Sequence, residues 1–265
     1  MPFTDAERAT LWRIAHALAD AARPATLRHF RSAELAADNK LAAGFDPVTA
    51  ADHGAEDAMR AILARERPQD AILGEERGHK KGTSGLTWVL DPVDGTRGFL
   101  SGTPTWGVLV ALSDAAGPRL GIIDQPYIGE RFWGGLGQAF VEGPTGRAPL
   151  RTRSERPLDQ AIVFTTFPEI GTEAERAAFT RVAQRARLVR YGMDCYAYAL
   201  VAAGQIDLVI EAGLQAYDVQ APIAVIEAAG GVVSDWQGRP VHDGGRVIAA
   251  ANPGIHAAAL DWLNR

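Results

Sequence analysis

The sequence lacks several features that mark whole classes of protein. It contains a single cysteine, Cys195, which excludes an internal disulfide, and it has no apolar run of transmembrane length. The N-terminal residues lack the cationic and apolar blocks of a secretory signal peptide, and the chain shows no internal repeat or low-complexity tract. We therefore expect a cytoplasmic protein that has no linker between separate domains.

The sequence also lacks a large excess of charge of one sign. It has 27 lysines and arginines against 32 aspartates and glutamates, so its net charge is −5 and neither a nucleic-acid partner nor a membrane surface is expected. An anionic substrate stays compatible with this charge, because a bound metal ion reverses the field locally. Hydrophobic residues make up 47% of the 265 positions, enough for one large core or two tightly packed halves.

Two aspartates, Asp91 and Asp94, stand three residues apart directly after a short apolar segment at 86–90. That segment is rich in β-prone residues, so it predicts a buried strand with Asp91 at its carboxyl end. Pro92 fixes its own φ and has no N–H, so we expect it to stop the strand and turn the chain. Asp91, the Val93 carbonyl and Asp94 can then converge on a hard cation such as magnesium.

The two residues that follow suit an anion. Gly95 permits close backbone approach, and if Thr96 opens a helix, the free N–H groups of its first turn would hold a phosphate. Alternatively, Asp-Pro and Asp-Gly pairs often make an ordinary surface turn. A second acidic cluster at 74–76 follows another strand-like segment at 70–73, and two such clusters at strand ends favour a shared metal centre.

Four separated segments carry a resemblance to a known family. They are 46–52, 74–76, 91–96, and 217–221 running into 227–231. Together they resemble the inositol monophosphatase-like family of magnesium-dependent, lithium-sensitive phosphatases, and their order and spacing cover nearly the whole chain. The resemblance implies an α/β (α+β) fold, the layered α/β/α/β/α sandwich of the inositol monophosphatase and fructose-1,6-bisphosphatase type. We expect a single catalytic domain over 1–265.

The residue pattern divides this domain into an N-terminal α+β half (about 1–150) and a C-terminal α/β half (about 151–265). In the first half we expect a helix from Thr4 to about Ala37, which Pro24 could break, and a second helix over 49–67. An antiparallel meander follows. The elements expected in the second half are strands at 161–166, 188–191, 206–211, 231–234 and 246–250, helices at 173–187, 194–203 and 218–229, and a terminal helix.

The resemblance implies a role for each carboxylate of the four segments. Glu75, Asp91, Asp94 and Asp218 correspond to magnesium ligands, and the Val93 main-chain carbonyl is a further ligand. Two or three magnesium ions would neutralise the phosphate and position a hydroxide in line with the leaving oxygen. Asp218 also precedes an apolar run at helical spacing, so it could cap that helix, and the two roles are compatible.

The resemblance further implies three catalytic residues, Asp46, Thr96 and Glu75. The Thr96 hydroxyl would pass a proton toward Asp46, and the pair would help to deprotonate the attacking water. Each has a simpler alternative, since Thr96 could be only an N-cap and Asp46 only a turn residue before Pro47.

The substrate is suggested by three further segments, at 97–107, 121–126 and 192–198, which look like the histidinol-phosphatase branch of the family. Tyr217, which stands where many family members carry tryptophan, is also similar to that branch. Histidinol phosphate carries an ammonium group and an imidazole, so its pocket should offer carboxylates beyond those bound to magnesium. The expected reaction converts L-histidinol phosphate and water to L-histidinol and phosphate, a step of histidine biosynthesis.

Asp194 and Glu211 are the acids available for this purpose. Glu211 matches a substrate-contacting glutamate of inositol phosphatases, whereas Asp194 falls where those enzymes usually have a small apolar residue. Asp194 could instead cap the following helix, and Glu211 could pair with Arg190, which could itself contact the substrate. The expected substrate-binding residues are Asp94, Gly95, Thr96, Arg97, Arg190, Asp194, Glu211 and Asp218.

Two other functions stay open. An inositol-1-phosphatase or broad sugar-phosphate phosphatase would use the same metal chemistry, and a non-catalytic regulatory protein could keep the same fold. The presence of every expected carboxylate argues against the regulatory protein. The partners that we expect are a small phosphate monoester and a second copy of the chain, because the family commonly forms dimers and soluble oligomers are mostly symmetric.

Overall fold

The computed structural model describes residues 3–33, 35, 37–39 and 47–265, and at 37, 39, 47 and 48 it describes the backbone alone. Within these ranges the helices are α1 (Asp5–Leu27), α2 (Ala50–Glu66), α3 (Thr96–Ser101), α4 (Glu173–Ala183), α5 (Asp194–Ala202), α6 (Ala216–Ala228) and α7 (Pro253–Leu263), with a 3₁₀ turn at Leu158–Gln160. The strands are β1 (Ala37–Asn39), β2 (Pro47–Thr49), β3 (Ala71–Gly74), β4 (Gly78–Lys80), β5 (Thr87–Asp94), β6 (Gly107–Asp114), β7 (Gly117–Gln125), β8 (Glu130–Gly135), β9 (Gln138–Gly143), β10 (Gly146–Pro149), β11 (Ile162–Thr165), β12 (Leu188–Tyr191), β13 (Leu208–Gln215), β14 (Val232–Ser234) and β15 (Gly244–Ala250).

The first half of the chain forms an eight-stranded sheet in the order β10-β9-β8-β7-β6-β5-β3-β4, and β1 pairs with β2 separately. Strands β3 and β5 are parallel, and the run from β5 to β10 is the expected antiparallel meander. Strand β6 shows why its segment is apolar throughout. Val108 and Val110 pack into the core beneath α1 and α2, whereas Leu109 and Ala111 pack on the opposite face. Both faces are covered, so alternation with polar residues is lost.

The second half forms a five-stranded sheet in the order β12-β11-β13-β15-β14. Its first three strands are parallel, and β15 runs antiparallel to both of its neighbours. Alternate residues of β15 again enter two different cores, Val247 and Ala249 on one face and Ile248 and Ala250 on the other. This sheet is therefore covered on both sides as well.

The helices form three layers around the two sheets. Helices α1 and α2 cover the outer face of the eight-stranded sheet, and α4 and α7 cover the outer face of the five-stranded sheet. Helices α5 and α6 lie between the sheets, and their apolar residues share one core with strands of both. The layers follow the order α/β/α/β/α, so the expected fold class is confirmed.

Helix α6 approaches the eight-stranded sheet closely because glycines face it. A Cβ on Gly121 of β7 would lie 2.4 Å from the Ala221 carbonyl oxygen, and one on Gly134 of β8 would lie 2.8 Å from the Val225 Cα. Side chains at these positions would collide with the helix backbone. The two glycines therefore set the depth at which α6 lies, and α6 carries Asp218 in its first turn.

The first helix is shorter than the pattern predicts. It ends at Leu27 and not near residue 37, and Pro24 lies in its last turn without breaking it. Pro24 lacks an N–H, but its carbonyl still accepts a hydrogen bond from the Arg28 N–H at 3.3 Å. The proline thus weakens the helix only near its end, where the helix is about to stop.

Other boundaries also differ from the expectation. Helix α4 ends at Ala183, not at Arg187, because the chain turns there to enter β12. Strand β13 continues past Glu211 to Gln215 through a bulge opposite β15. Strands β4 and β10 were not expected; both are short, so a pattern of alternation has little room to show.

Candidate active site

Two parallel strands place the acidic clusters side by side. Gly74 at the end of β3 is in register with Leu90 of β5, so the residues that follow them, Glu75 and Asp91, are neighbours. The Glu75 N–H donates to the Leu90 carbonyl at 3.2 Å, which extends the pairing by one residue. The two carboxylate clusters therefore meet where two neighbouring strands run toward their carboxyl ends, as expected.

Pro92 does not end the strand as expected. Strand β5 continues to Asp94, and its pairing with β6 shifts register between Asp91 and Asp94. This bulge accommodates a proline inside a sheet, because the residue without an N–H falls where the ladder is interrupted. The extra residue also redirects the side chains, so the two aspartates reach the same site although they are three positions apart, an offset that puts side chains of a regular strand on opposite faces.

The acidic side chains converge on a single centre. Carboxylate oxygens of Asp91, Asp94 and Asp218 lie within 4.8 Å of one another. Glu75 lines a cavity that Asp94 and Asp218 also line, and its carboxyl group is hydrogen-bonded to that of Asp91. Oxygen donors in this number and at this spacing suit a hard divalent cation.

The electrostatics of the cluster support this interpretation. Burial raises the pKa of Asp91 well above its ordinary value, and the charges of Glu75, Asp94 and Asp218 raise it further. Burial and the neighbouring Asp218 raise the pKa of Asp94 in the same way. Without a cation these carboxyls keep their protons to a higher pH than a free aspartate does, and a divalent cation would favour their ionised form by supplying positive charge.

Main-chain groups hold these carboxylates in place. The Val93 N–H donates to Asp91 Oδ1 at 3.0 Å, and the Cys195 N–H donates to Asp94 Oδ2 at 2.6 Å. The Thr96 hydroxyl donates to the Val93 carbonyl at 3.2 Å. Two of the carboxylates therefore have fixed orientations, and Thr96 lies directly beside the expected carbonyl ligand.

Helix α3 begins at Thr96, as the phosphate-site hypothesis requires. The N-cap is Gly95, whose φ of 84° lies in the left-handed region, and the Thr96 side chain makes no capping hydrogen bond. The alternative role of Thr96 as an N-cap is therefore wrong. A residue with a Cβ would be strained at position 95.

Asp218 is both a member of the cluster and part of a helix cap. It occupies the third position of α6, not the N-cap, and its Oδ2 accepts a hydrogen bond from the Gln215 N–H at 2.6 Å. The capping box fixes the carboxylate at the start of a buried helix. The capping role is therefore observed within a carboxylate cluster, and the role of Asp218 as a magnesium ligand stays a prediction.

A buried glutamate that the sequence reasoning missed holds the segment of the second acidic cluster. Glu56 of α2 is fully buried and accepts hydrogen bonds from the main-chain N–H groups of Glu76 at 2.7 Å and Arg77 at 3.1 Å. Arg60, one turn later, donates to the same carboxylate at 2.7 Å. The only signal for it in the sequence is an acid on the apolar face of an otherwise ordinary helix.

A cavity of about 430 Å³ opens beside the carboxylate cluster. Besides acids of the cluster, expected substrate-binding residues border it, namely Gly95, Thr96, Arg97, Asp194 and Glu211. The structure therefore brings together residues from both halves of the chain.

Asp194 packs directly against the start of α3 at the border of the cavity. It is the first residue of α5, its φ is 45°, and no capping hydrogen bond is formed at this helix start, where Met193 is the N-cap. The Thr105 hydroxyl donates to Asp194 Oδ2 at 2.9 Å, and a Cβ on Gly95 would lie 2.7 Å from the Asp194 side chain. The capping alternative is wrong, and burial raises the pKa of this carboxyl.

Glu211 is the second acid outside the cluster. It is 5% exposed and accepts hydrogen bonds from the Thr166 N–H at 2.7 Å, the Thr166 hydroxyl at 2.9 Å and the Thr165 hydroxyl at 3.3 Å. Burial raises the pKa of Glu211 to about 7, because these hydrogen bonds only partly offset the loss of hydration. Near neutral pH this carboxyl is therefore able to gain or lose a proton.

Two expected residues are not brought to this cavity. Arg190 is exposed on the edge strand β12, in register with Phe164, and neither borders the cavity nor pairs with Glu211. The suggested pairing of Arg190 with Glu211 is therefore not observed, and its contact with the substrate stays a prediction. Asp46 lies outside the residues that the structure describes, so its pairing with Thr96 stays a prediction.

The sandwich and the carboxylate cluster together define a metal-dependent phosphatase, and comparison with known proteins identifies the family. The sequence profile described as "Inositol monophosphatase family" matches residues 7–264. The chain is 39% identical to the "Bifunctional phosphatase IMPL2, chloroplastic" of Arabidopsis thaliana, over 98% of this chain and 77% of that protein. It is 32% identical to the "Histidinol-phosphatase" of Streptomyces coelicolor, over 96% of each chain.

A comparison with solved structures supports the same family. An inositol monophosphatase from Zymomonas mobilis superimposes with a TM-score of 0.84 at 40% identity, over 96% of this chain and 97% of that one. The chain therefore belongs to the inositol monophosphatase family and is an enzyme that hydrolyses phosphate monoesters. In the described ranges, every helix is too short or too polar to span a bilayer.

Proposed function

We propose that this phosphatase is a magnesium-dependent histidinol-phosphate phosphatase. The observation that carries the proposal is a pair of acids outside the carboxylate cluster, the partly buried Asp194 and the buried Glu211, which border the same cavity as Asp94 and Asp218. Glu211 matches a glutamate of inositol phosphatases, so Asp194 is the acid that distinguishes the two substrates, and a neutral polyol phosphate gives no electrostatic reason for a further carboxyl at that position. An ester that carries an ammonium group and an imidazole does.

In the proposed mechanism Glu75, Asp91, Asp94 and Asp218 hold magnesium, together with the Val93 carbonyl. When bound, magnesium neutralises the phosphate oxygens and lowers the pKa of the attacking water. The hydrogen bonds from main-chain N–H groups keep the cluster oriented, so little rearrangement is needed as the phosphate enters.

The chain's own groups at the phosphate are those at the start of α3. The first turn of a helix leaves N–H groups without partners inside the helix, and these can donate to phosphate oxygens. We propose that the Thr96 hydroxyl passes a proton toward Asp46, with Glu75 as the third catalytic residue. Arg97, which follows Thr96, adds positive charge at the cavity wall.

Selection of the leaving group is assigned to Asp194 and Glu211. The substrate ammonium would favour the ionised form of a neighbouring carboxyl and so offset the effect of burial on its pKa. The imidazole offers an N–H that a carboxylate accepts well. Arg190 has no part in this proposal.

The second candidate is an inositol-1-phosphatase or a broad-specificity sugar-phosphate phosphatase. The observation that favours it is the superposition on the Zymomonas inositol monophosphatase, whereas the Streptomyces relative favours histidinol phosphate. Both candidates share the metal centre, so only the leaving group distinguishes them.

The two candidates are separated by measuring kcat/KM for L-histidinol phosphate and inositol 1-phosphate in parallel, with magnesium. We expect histidinol phosphate to be preferred by at least about tenfold, since one hydrogen bond to a charged group contributes about 1.5–3 kcal/mol. A wide preference for the inositol ester would overturn the proposal.

The same assay on Asp194→Asn tests how the preference arises. We expect this variant to lower kcat/KM for histidinol phosphate by about tenfold or more, and to change that for glycerol 2-phosphate by less than about threefold. Asp261→Asn, at an exposed carboxylate paired with Arg265, is the matched control and should change neither value. Equal losses on both esters in Asp194→Asn would leave Asp194 with a structural role only.

We further infer a homodimer of single-domain chains in the cytoplasm, with two or three magnesium ions per chain. The resemblance to the family supports the single domain, the dimer and the number of ions, whereas the location rests on the sequence features given above. Sedimentation velocity would test the dimer, and magnesium counted by atomic absorption after equilibrium dialysis would test the number of ions.

A further inference from the structure

An exposed phenyl ring borders the active-site cavity. Among the described residues the exposed large apolar side chains are Leu27, Tyr127, Phe167, Leu188 and Tyr191, and of these Phe167 lines the cavity. Its side chain is 41% exposed. The ring lies beyond the end of β11, on the wall of the cavity that belongs to the five-stranded sheet.

One face of this ring is covered by a planar cation from the other half of the chain. The guanidinium carbon of Arg97 lies 4.8 Å from the centroid of the Phe167 ring. Arg97 belongs to the first turn of α3, immediately after Thr96. A cation–π contact of this kind favours the placement of the phenyl ring beside α3, at the border of the cavity.

The ring is also tied to the buried acid. Thr166, its neighbour in the chain, donates two hydrogen bonds to Glu211, one from the main-chain N–H and one from the hydroxyl. The phenyl ring and the carboxyl are therefore fixed to the same strand end. A flat apolar surface and a hydrogen-bond acceptor thus border the cavity together, and this combination suits a heteroaromatic ring that carries an N–H.

We propose that Phe167 is a specificity-determining residue, a flat platform that selects phosphate monoesters whose leaving alcohol carries a planar heteroaromatic ring. This inference rests on the proposed function and deepens it, because it assigns a binding surface to the ring of the substrate and not to its charge. A polyol has no flat apolar face and gains nothing from the platform. Arg97 acts through Phe167 as a positioning residue.

The test compares Phe167→Leu, which keeps apolar bulk without a ring, with Phe167→Tyr, which keeps the ring. We expect Phe167→Leu to raise KM for histidinol phosphate by about threefold to tenfold, the range that an aromatic contact contributes, with kcat within about twofold of wild type. Phe167→Tyr should retain the wild-type KM. Glycerol 2-phosphate should be hydrolysed by all three proteins with kcat/KM equal within about twofold.

Melting temperature and the magnesium concentration for half-maximal activity serve as controls, and we expect neither to change in Phe167→Leu. An equal loss of kcat/KM on both esters would overturn the platform, and so would a failure of Phe167→Tyr to retain the wild-type KM. Phenyl phosphate separates this inference from the proposed function. If wild type prefers inositol 1-phosphate, the proposed function fails, and the platform is then judged by whether Phe167→Leu raises KM for phenyl phosphate but not for glycerol 2-phosphate.

Discussion

Asp94→Asn is expected to lower kcat by about a thousandfold or more, because the cluster loses a charged ligand while its shape is kept. A carboxylate oxygen of Asp94 lies within 4.8 Å of oxygens of both Asp91 and Asp218, and its orientation is fixed by the Cys195 N–H. An amide offers one neutral oxygen in place of a carboxylate. The change therefore weakens the hold on a divalent cation at the point where the phosphate enters.

The same variant should be at least as stable as wild type when magnesium is absent. Burial and Asp218 raise the pKa of Asp94, so its ionisation costs stability, and this cost grows as the pH rises above the pKa of a free aspartate. Asparagine removes that cost. We expect the metal-free melting temperature of Asp94→Asn to exceed that of wild type more at alkaline than at acidic pH.

These two results together exclude misfolding as the cause of lost activity. Asp261→Asn, at an exposed carboxylate on α7, is the control and should retain both activity and melting temperature. Substantial turnover by Asp94→Asn would contradict the assignment of Asp94 as a metal ligand.

Gly121→Ala is expected to lower the free energy of unfolding by about 3 kcal/mol, at the upper end of the range for overpacked cores. The new Cβ would lie 2.4 Å from the Ala221 carbonyl oxygen and 2.8 Å from its Cα. These are backbone atoms of a buried helix, so no side chain can turn away to relieve the contact. Helix α6 must move away from the sheet, and Asp218 moves with it.

The variant should therefore also need more magnesium for half-maximal activity. Gly54→Ala is the matched control, because Gly54 lies within α2 and a Cβ there would meet its nearest atom, the Ala25 Cβ, at an ordinary 3.8 Å. We expect it to raise stability by up to about 1 kcal/mol, the helix preference of alanine over glycine. Urea denaturation of both variants measures the two changes in the free energy of unfolding. Equal changes in Gly121→Ala and Gly54→Ala would show that the close approach at Gly121 is not a constraint.

The sequence predicts most of the fold because the strands near the cores are apolar on both faces. Strands β6, β7, β13 and β15 appear as continuous apolar runs for that reason. Strand β10 is exposed along its length and is defined only by its pairing with β9, so its residues carry no comparable pattern. The end of α1 was missed because alanine- and leucine-rich residues continue beyond Leu27, although the helix ends there.

The sequence likewise predicts some residues of the candidate site and not others. Acids at strand ends and helix starts, such as Asp91 and Asp218, are visible as motifs because the chemistry and the local structure coincide. The groups that hydrogen-bond to these acids or to the segments around them are not visible as motifs. Glu56 contacts a segment 20 residues away, and Cys195 donates to a carboxylate 101 residues away, so both contacts depend on how the layers pack. Arg190 does not border the cavity because it is in register with Phe164, whereas the cavity begins at Thr166, and the sequence does not show this offset.

The most direct test of the metal centre is a calorimetric titration of the metal-free protein with magnesium, near neutral pH, in two buffers of different ionisation enthalpy. Because burial and mutual repulsion raise the pKa values of Asp91 and Asp94, magnesium should release protons as it binds, and the observed heat should depend on the buffer. Asp94→Asn should bind magnesium at least about tenfold more weakly. Heats that show no saturable binding to wild type, or an affinity unchanged in Asp94→Asn, would contradict a magnesium site at these carboxylates.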